Sequence, residues 1–228
     1  MTKGLLLAMV SGLFLVACSE EASEPEPPSE EQQLPDDSEE AVVEKAIPEG
    51  FAENYFDEKR FIHAYPSAPD SQYLSESIGL YMEYLVMMED AEQFELQYNN
   101  LLDEFVVEKE EDFFIKWLIY EDASVNALID DIRIAAVLRE AAELFGQPEY
   151  SDTADRIIET ISRIQTNNGY TVDYYDWQVE FPAQRVTLSY LIDDVPKDMN
   201  ADRVLENVDA SEVFFPEYFD VVNEVYVK

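Results

Sequence analysis

Four stretches of the chain repeat their apolar residues at the period of an α-helix. From about Tyr73 to Met88, the residues Leu74, Ile78, Tyr81, Leu85 and Met88 follow one another at steps of four and three, which stacks them on one helix face. After Glu89-Asp90 a second stripe of Phe94, Tyr98, Leu101, Leu102 and Phe105 opposes a polar face of Glu92, Glu95, Gln97 and Asn99. The break between them is short, so the pair predicts a helical hairpin. A third helix is predicted from near Ser124 to Phe145, where Gly146 followed by Pro148 forms a stop signal. Its apolar arc is wide, taking in Val125, Leu128, Ile129, Ile132, Ile134, Ala135, Leu138 and Ala142. A fourth opens at Ser151 as N-cap, with Asp152 and Asp155 favouring the positive helix end. Its stripe of Ala154, Ile157, Ile158, Ile161 and Ile164 is narrow, and Gly169 stands beyond its end. Wide and then narrow is the order of an inner and an outer helix in a two-layer helical array.

Two connecting stretches have another character. Phe113 to Tyr120 and Gly169 to Phe181 are rich in aromatic and β-branched residues, and read as short strands or hairpin arms between helices. Val186 to Asp193 suggests a fifth element.

The first fifty residues belong to neither pattern. Met-Thr-Lys precedes an apolar run from Gly4 to Val16, broken only by Ser11 and Gly12, and Leu15-Val16-Ala17 leads into Cys18. A basic start, a short apolar core and small residues before a junction describe a secretory signal over residues 1–17, too short to span a membrane. Leu-Val-Ala-Cys resembles the lipobox of bacterial lipoproteins. That resemblance implies a diacylated Cys18 as first residue of the mature chain, held on the extracytoplasmic face of the cell membrane. Between Ser19 and Gly50 stand twelve acids, one Lys and five prolines, without an aromatic residue. Such a stretch buries too little apolar surface to offset its ordering entropy, so residues 18–50 read as a lipidated Cys and an acidic tether. The domain is expected over residues 51–228.

Charge narrows the partners. Of the formal −37, the tether carries −11 and the domain −27. Nucleic acid is excluded, because binding phosphate requires clustered Lys and Arg. With one Cys and one His in the whole chain, no zinc cluster, internal disulfide or Cys/His catalytic site is expected, and neither metal nor cofactor is predicted. Chemistry falls to carboxylates, hydroxyls and aromatic rings.

Two constellations hold candidate carboxylates. On the first helix Ser75-Glu76-Ser77-Ile78-Gly79-Leu80-Tyr81-Met82 places an acid in the first turn; on the third, Asp130-Asp131-Ile132-Arg133 places two acids and a base among apolar positions. A carboxyl at the end of a partly buried helix is held protonated by desolvation, and two acids across a cleft are what glycoside hydrolysis requires. The plain reading beside it makes Glu76 a dipole-favoured first-turn residue, and Asp130 or Asp131 a partner of Arg133 or Arg139.

Ser75-Glu76, Gly79 and Met82 resemble the Ser-Glu-Gly-Gln-x-x-Gly-Met signature on the first inner helix of glycoside hydrolase family 8, a group of six-hairpin (α/α)6 barrel enzymes that cleave β-1,4-linked polysaccharides. Asp131-Ile132-Arg133-Ile134-Ala135 is similarly like that family's Asp-x-Asp-Ile-Ala stretch. The resemblance spans roughly residues 71–193 and implies Glu76 as general acid and Asp131 as a sugar-contacting acid. Ser77 and Ile78 stand where the family has Gly and Gln, and Arg133 and Ile129 where it has further Asp residues. Residues 51–228 are also too few for twelve helices with their connections. The fold expected is therefore mainly α, an incomplete α/α toroid of about half a barrel with short β-hairpin connections, and the family's general base has no match here.

The aromatic residues of the connections, Trp117, Tyr174, Tyr175 and Trp177, together with Arg185, are candidate contacts for a polysaccharide or oligosaccharide; the same rings equally serve to plug the flank of a half barrel. Three functions follow: a lipoprotein related to polysaccharide-cleaving hydrolases, a non-catalytic glycan-binding or envelope-associated lipoprotein on the same scaffold, or an acidic helical interaction module. The anchor is separately testable. Cys18→Ala is expected to move the protein from the detergent phase to the aqueous phase, and continued detergent partitioning of the variant would refute lipidation at Cys18.

Overall fold

The computed structural model describes residues 50–66, 72–119, 122–191, 201–206, 208 and 215–228. The signal, Cys18 and nearly all of the tether lie outside the described residues. No helix among the described residues is long and apolar enough to cross a membrane.

A short helix α1 (Phe51–Tyr55) precedes the first hairpin, α2 (Ser75–Met87) and α3 (Ala91–Asn100). The Asp90 carboxylate caps α3 by accepting from the Gln93 amide, and Glu89 takes the positive φ that lets the chain reverse. A π-type turn over Leu101–Phe105 ends α3 and leads into a two-stranded hairpin, β1 (Val106–Lys109) with β2 (Asp112–Ile115). The predicted strand at Phe113 is thus the second arm of this hairpin, and its amide is held by the buried Thr160 hydroxyl.

The second helical pair is α4 (Leu128–Phe145) and α5 (Pro148–Ile164), joined at Gly146 in the left-handed conformation. Both helices start elsewhere than their sequence signals place them. Helix α4 begins four residues after Ser124 because the backbone of that stretch is already engaged: Ser124 O accepts from Trp177 N, and Val125 O accepts from Trp117 N. Helix α5 begins three residues before Ser151, since Pro148 has its φ preset for a first turn and needs no amide partner there.

Beyond α5 the chain forms small antiparallel pairs. Strands β3 (Thr166–Asn167) and β4 (Tyr170–Thr171) meet across Asn168-Gly169, both at positive φ, the turn that matches strand twist. Strands β5 (Tyr175–Asp176) and β6 (Phe181–Pro182) pair next, and β7 (Arg185–Thr187) joins β8 (Tyr218–Asp220) and β9 (Val225–Val227) in a three-stranded sheet. Leu188–Tyr190 is a 3-10 turn, which with β7 is what the Val186 segment becomes; its end at Asp193 lies outside the described residues. A short helix α6 (Ala201–Leu205) sets Val204 into the core beneath this sheet.

Helix α4 packs against both α5 and α2, as its wide apolar arc requires, and α3 reaches α5 through Tyr98, whose hydroxyl lies 2.8 Å from the Thr153 hydroxyl. Helices α2 and α4 come closest at Gly79, where a β-carbon would stand 3.1 Å from Ile134 Cγ1. Their first turns lie side by side, because Ser75 Oγ donates to Asp130 Oδ2 at 2.7 Å. A β-branched side chain at position 79 has nowhere to go without separating the two helices. Gly79→Val is expected to cost about 1–3 kcal/mol of stability, read from urea denaturation, and a variant as stable as the parent would show that the α2–α4 contact yields freely.

Candidate functional site

Where the first turns of α2 and α4 meet, the chain leaves a cleft of about 320 Å³. Leu74 and Glu76 line it from the start of α2, Ala127, Ile129, Asp130 and Arg133 from α4, Trp117 from the segment after β2, and Ser189 and Tyr190 from the 3-10 turn. Glu76 is exposed. It sits one residue after Ser75, whose amide and hydroxyl both bond to Trp117 O, so the same backbone oxygen ties the start of α2 to the indole beside it.

The acid that shares this cleft with Glu76 is Asp130. Its Oδ2 accepts from Ser75 Oγ, and Arg133 Nη1 lies 3.6 Å from its Oδ1. Burial raises the Asp130 carboxyl above the usual range and the Glu76 charge adds to this, while the Ser75 hydroxyl and Arg133 oppose it. Arg133 is also paired with Glu83 at 3.4 Å, which holds the guanidinium across α2 and α4.

Asp131, matched by sequence to the sugar-contacting acid, lies behind the cleft instead. It is 2% exposed, its Oδ2 accepts from Asn126 Nδ2 at 2.6 Å, and its Oδ1 has no hydrogen-bond partner. Successive helical residues point about 100° apart, so only one of two adjacent acids can face the groove; a linear motif does not say which.

The aromatic candidates separate into two groups. Trp117 lines the cleft and is 39% exposed. Trp177 is buried, stacked on Phe114 with ring centroids 4.8 Å apart, and Tyr175 lies parallel to the other part of that ring at 5.9 Å. Both rings therefore serve packing, where a large indole gains most by leaving water. Tyr174 and Arg185 line a neighbouring hollow with Phe181 and Tyr218, and Arg185 Nε donates to Asp173 Oδ2 at 3.0 Å. Sequence reasoning passed over Asp173, which is 3% exposed and also accepts from the Thr187 amide and hydroxyl. It passed over Tyr190 as well, whose hydroxyl is made less acidic by burial and by the charges of Asp173, Asp130 and Glu76, with Arg185 opposing. An Asp in a Tyr-rich connection carries no signal of burial, so neither residue was legible before folding. No group of His, Cys, Asp and Glu that could hold a metal occurs among the described residues.

Helical hairpins whose first turns bring acids together, with short β-hairpins between the helices, define a mainly helical protein with a carboxylate-lined cleft. Comparison with known proteins agrees. The chain is similar to PssZ from Listeria monocytogenes, at 35% identity and a TM-score of 0.71, covering 78% of this chain and 56% of that one. It shares its fold with an α-amylase from Clostridium perfringens (21% identity, TM-score 0.66, 78% and 58% covered) and with Cel10, a family 8 glycosyl hydrolase from Klebsiella pneumoniae (13%, 0.59, 75% and 63%). The resemblance to family 8 glycoside hydrolases thus holds at the level of fold. YdaJ of Bacillus subtilis (strain 168), named as a candidate lipoprotein, is 40% identical over 124 residues, which are 54% of this chain and 33% of YdaJ. The chain spans about a third of that relative and little more than half of the PssZ chain. No protein-family profile matches the chain.

Burial holds the Asp131 carboxyl well above the ordinary value near 3.8, with the Asn126 bond opposing and the Asp130 charge adding. Its proton is bound more tightly folded than unfolded. The stability linked to it is therefore full below the unfolded value and is lost as pH rises through the folded one. Asp131→Asn is expected to flatten the fall in unfolding free energy as pH rises above the ordinary carboxylate range, relative to the parent; parallel curves would show that Asp131 is not the source of that fall.

Proposed function

We propose that the protein is an extracytoplasmic lipoprotein, anchored through Cys18, that acts on a polysaccharide or oligosaccharide as a glycoside hydrolase, with Glu76 as general acid. The observation that carries this reading is the placement of Glu76: an exposed carboxyl in the first turn of α2, in a cleft shared with a second acid, an indole and a phenol. Glu76 protonates the leaving glycosidic oxygen, the step such a cleft asks of one carboxyl. Asp130, facing the cleft in place of Asp131, accepts from sugar hydroxyls, and Trp117 offers a ring for the apolar face of a pyranose. The fold shared with Cel10, a family 8 glycosyl hydrolase, and the name of YdaJ support a lipoprotein of glycosidase type.

A second reading, glycan binding without cleavage, is favoured by one feature. Among the described residues the cleft is lined by two carboxylates, Glu76 and Asp130, at neighbouring helix starts, and by no third to activate water. The two readings part on one experiment. Incubated with β-glucan, xylan, chitosan and bacterial exopolysaccharide, the protein is expected to release reducing ends from at least one. Glu76→Gln should lower that rate by about 100-fold or more. Equal rates in both proteins would remove Glu76 from the chemistry, and retention of a glycan without release would select the binding reading.

A further inference from the structure

Asn126 is 4% exposed and every polar atom of its side chain is used. Its Nδ2 donates to Asp131 Oδ2 and to Gln165 Oε1, each at 2.6 Å, and its Oδ1 accepts from the Tyr175 amide at 2.7 Å. The amide can take only this orientation: reversed, it would set an oxygen against a carboxylate and an NH2 against an N–H. Gln165 continues the relay, since its Nε2 donates to Val172 O at 2.8 Å. One buried chain of side chains thus grips both ends of the segment 172–175. Between these points Asp173 O accepts from Leu128 N, and the Asp173 carboxylate holds Thr187 by its amide and hydroxyl. Two and three residues beyond Thr187, Ser189 and Tyr190 line a wall of the cleft.

We propose that Asn126, clamped by Asp131 and Gln165, is the positioning residue of that wall: it holds the 172–176 segment against the start of α4, and through Asp173 and Thr187 it sets Ser189 and Tyr190 in register with Glu76 and Asp130. Asp131 acts through Asn126 and touches no ligand. As an acceptor it selects the amide orientation that leaves Oδ1 free for Tyr175. Asp130 on the same helix is the charged group that acts on Asp131. Helix α2 contributes Glu76 only by way of Asp130, while α5 and the 172–176 segment meet the clamp through the neutral Gln165, the Val172 carbonyl and the Tyr175 amide. The bearing on glycans rests on the function proposed above; the clamp itself does not.

Amide hydrogen exchange on the full chain tests it without any glycan. In Asn126→Ala the amides of Tyr175, Asp173 and Thr187 are expected to exchange about tenfold faster or more, while those of Phe94 and Tyr98 in α3 keep their parental rates. Unchanged exchange at Tyr175, or equal acceleration in α3, overturns the proposal. Asp131→Asn keeps an acceptor for Asn126 and guards against a variant that fails to fold. It is expected to keep the parental exchange rate at Tyr175, whereas Asp131→Leu, which offers Asn126 no acceptor, raises that rate about tenfold or more. Parental exchange at Tyr175 in Asp131→Leu overturns the role of Asp131. Loss of Glu76-dependent hydrolysis with intact exchange would leave the clamp standing and count against the proposed function alone.

Discussion

The closeness of α2 and α4 at Gly79 governs the rest of the molecule. With no β-carbon there, Ile134 meets the α2 backbone directly, and the two helices approach near enough for Ser75 to reach Asp130 at their first turns. Everything in the cleft is hung from those two turns: Glu76 and Asp130 by their place in the helices, Trp117 by its carbonyl bonds to Ser75, and the aromatic segment by Leu128 N to Asp173 O. A looser pair of helices would still fold and bury its stripes. It would not bring two carboxyls into one groove.

Three acids are taken out of water around this point, and each is handled differently. Asp173 is satisfied by three donors including Arg185, which replace the water that burial takes from it. Asp130 is shared between a hydroxyl and a nearby guanidinium. Asp131 receives one donor and leaves an oxygen bare, so its neutral form is the one its surroundings favour. In a chain carrying −37, most carboxylates keep the surface hydrated, and these three are among the few whose solvation the fold has changed.

The aromatic residues divide along the same line. Phe114 serves as the anvil for Trp177 and Tyr175, and the Trp177 carbonyl is held by Lys109 Nζ at 2.7 Å, which closes the hairpin β1–β2 onto the connection after α5. Of the four rings the sequence nominated, Trp117 and Tyr174, each 39% exposed, keep a face for anything else.

The sequence by itself determined the helices α2 to α5, their pairing into hairpins and the acid at the head of α2, because each is a local matter of period, cap and turn. Helix starts were legible to within three or four residues: Pro148 opens α5 ahead of Ser151, and Ser124 and Val125 are spoken for by Trp177 and Trp117 before α4 can begin. Tertiary structure alone decided which of Asp130 and Asp131 meets the cleft, that Trp177 is buried while Trp117 is not, and that Asn126, Asp173 and Tyr190 belong to the site at all. The physical reason is that exposure, desolvation and hydrogen-bond partnership come from residues on other elements, from 12 positions away for Asp173 with Arg185 to 55 for Ser75 with Asp130, and no periodicity along the chain records them.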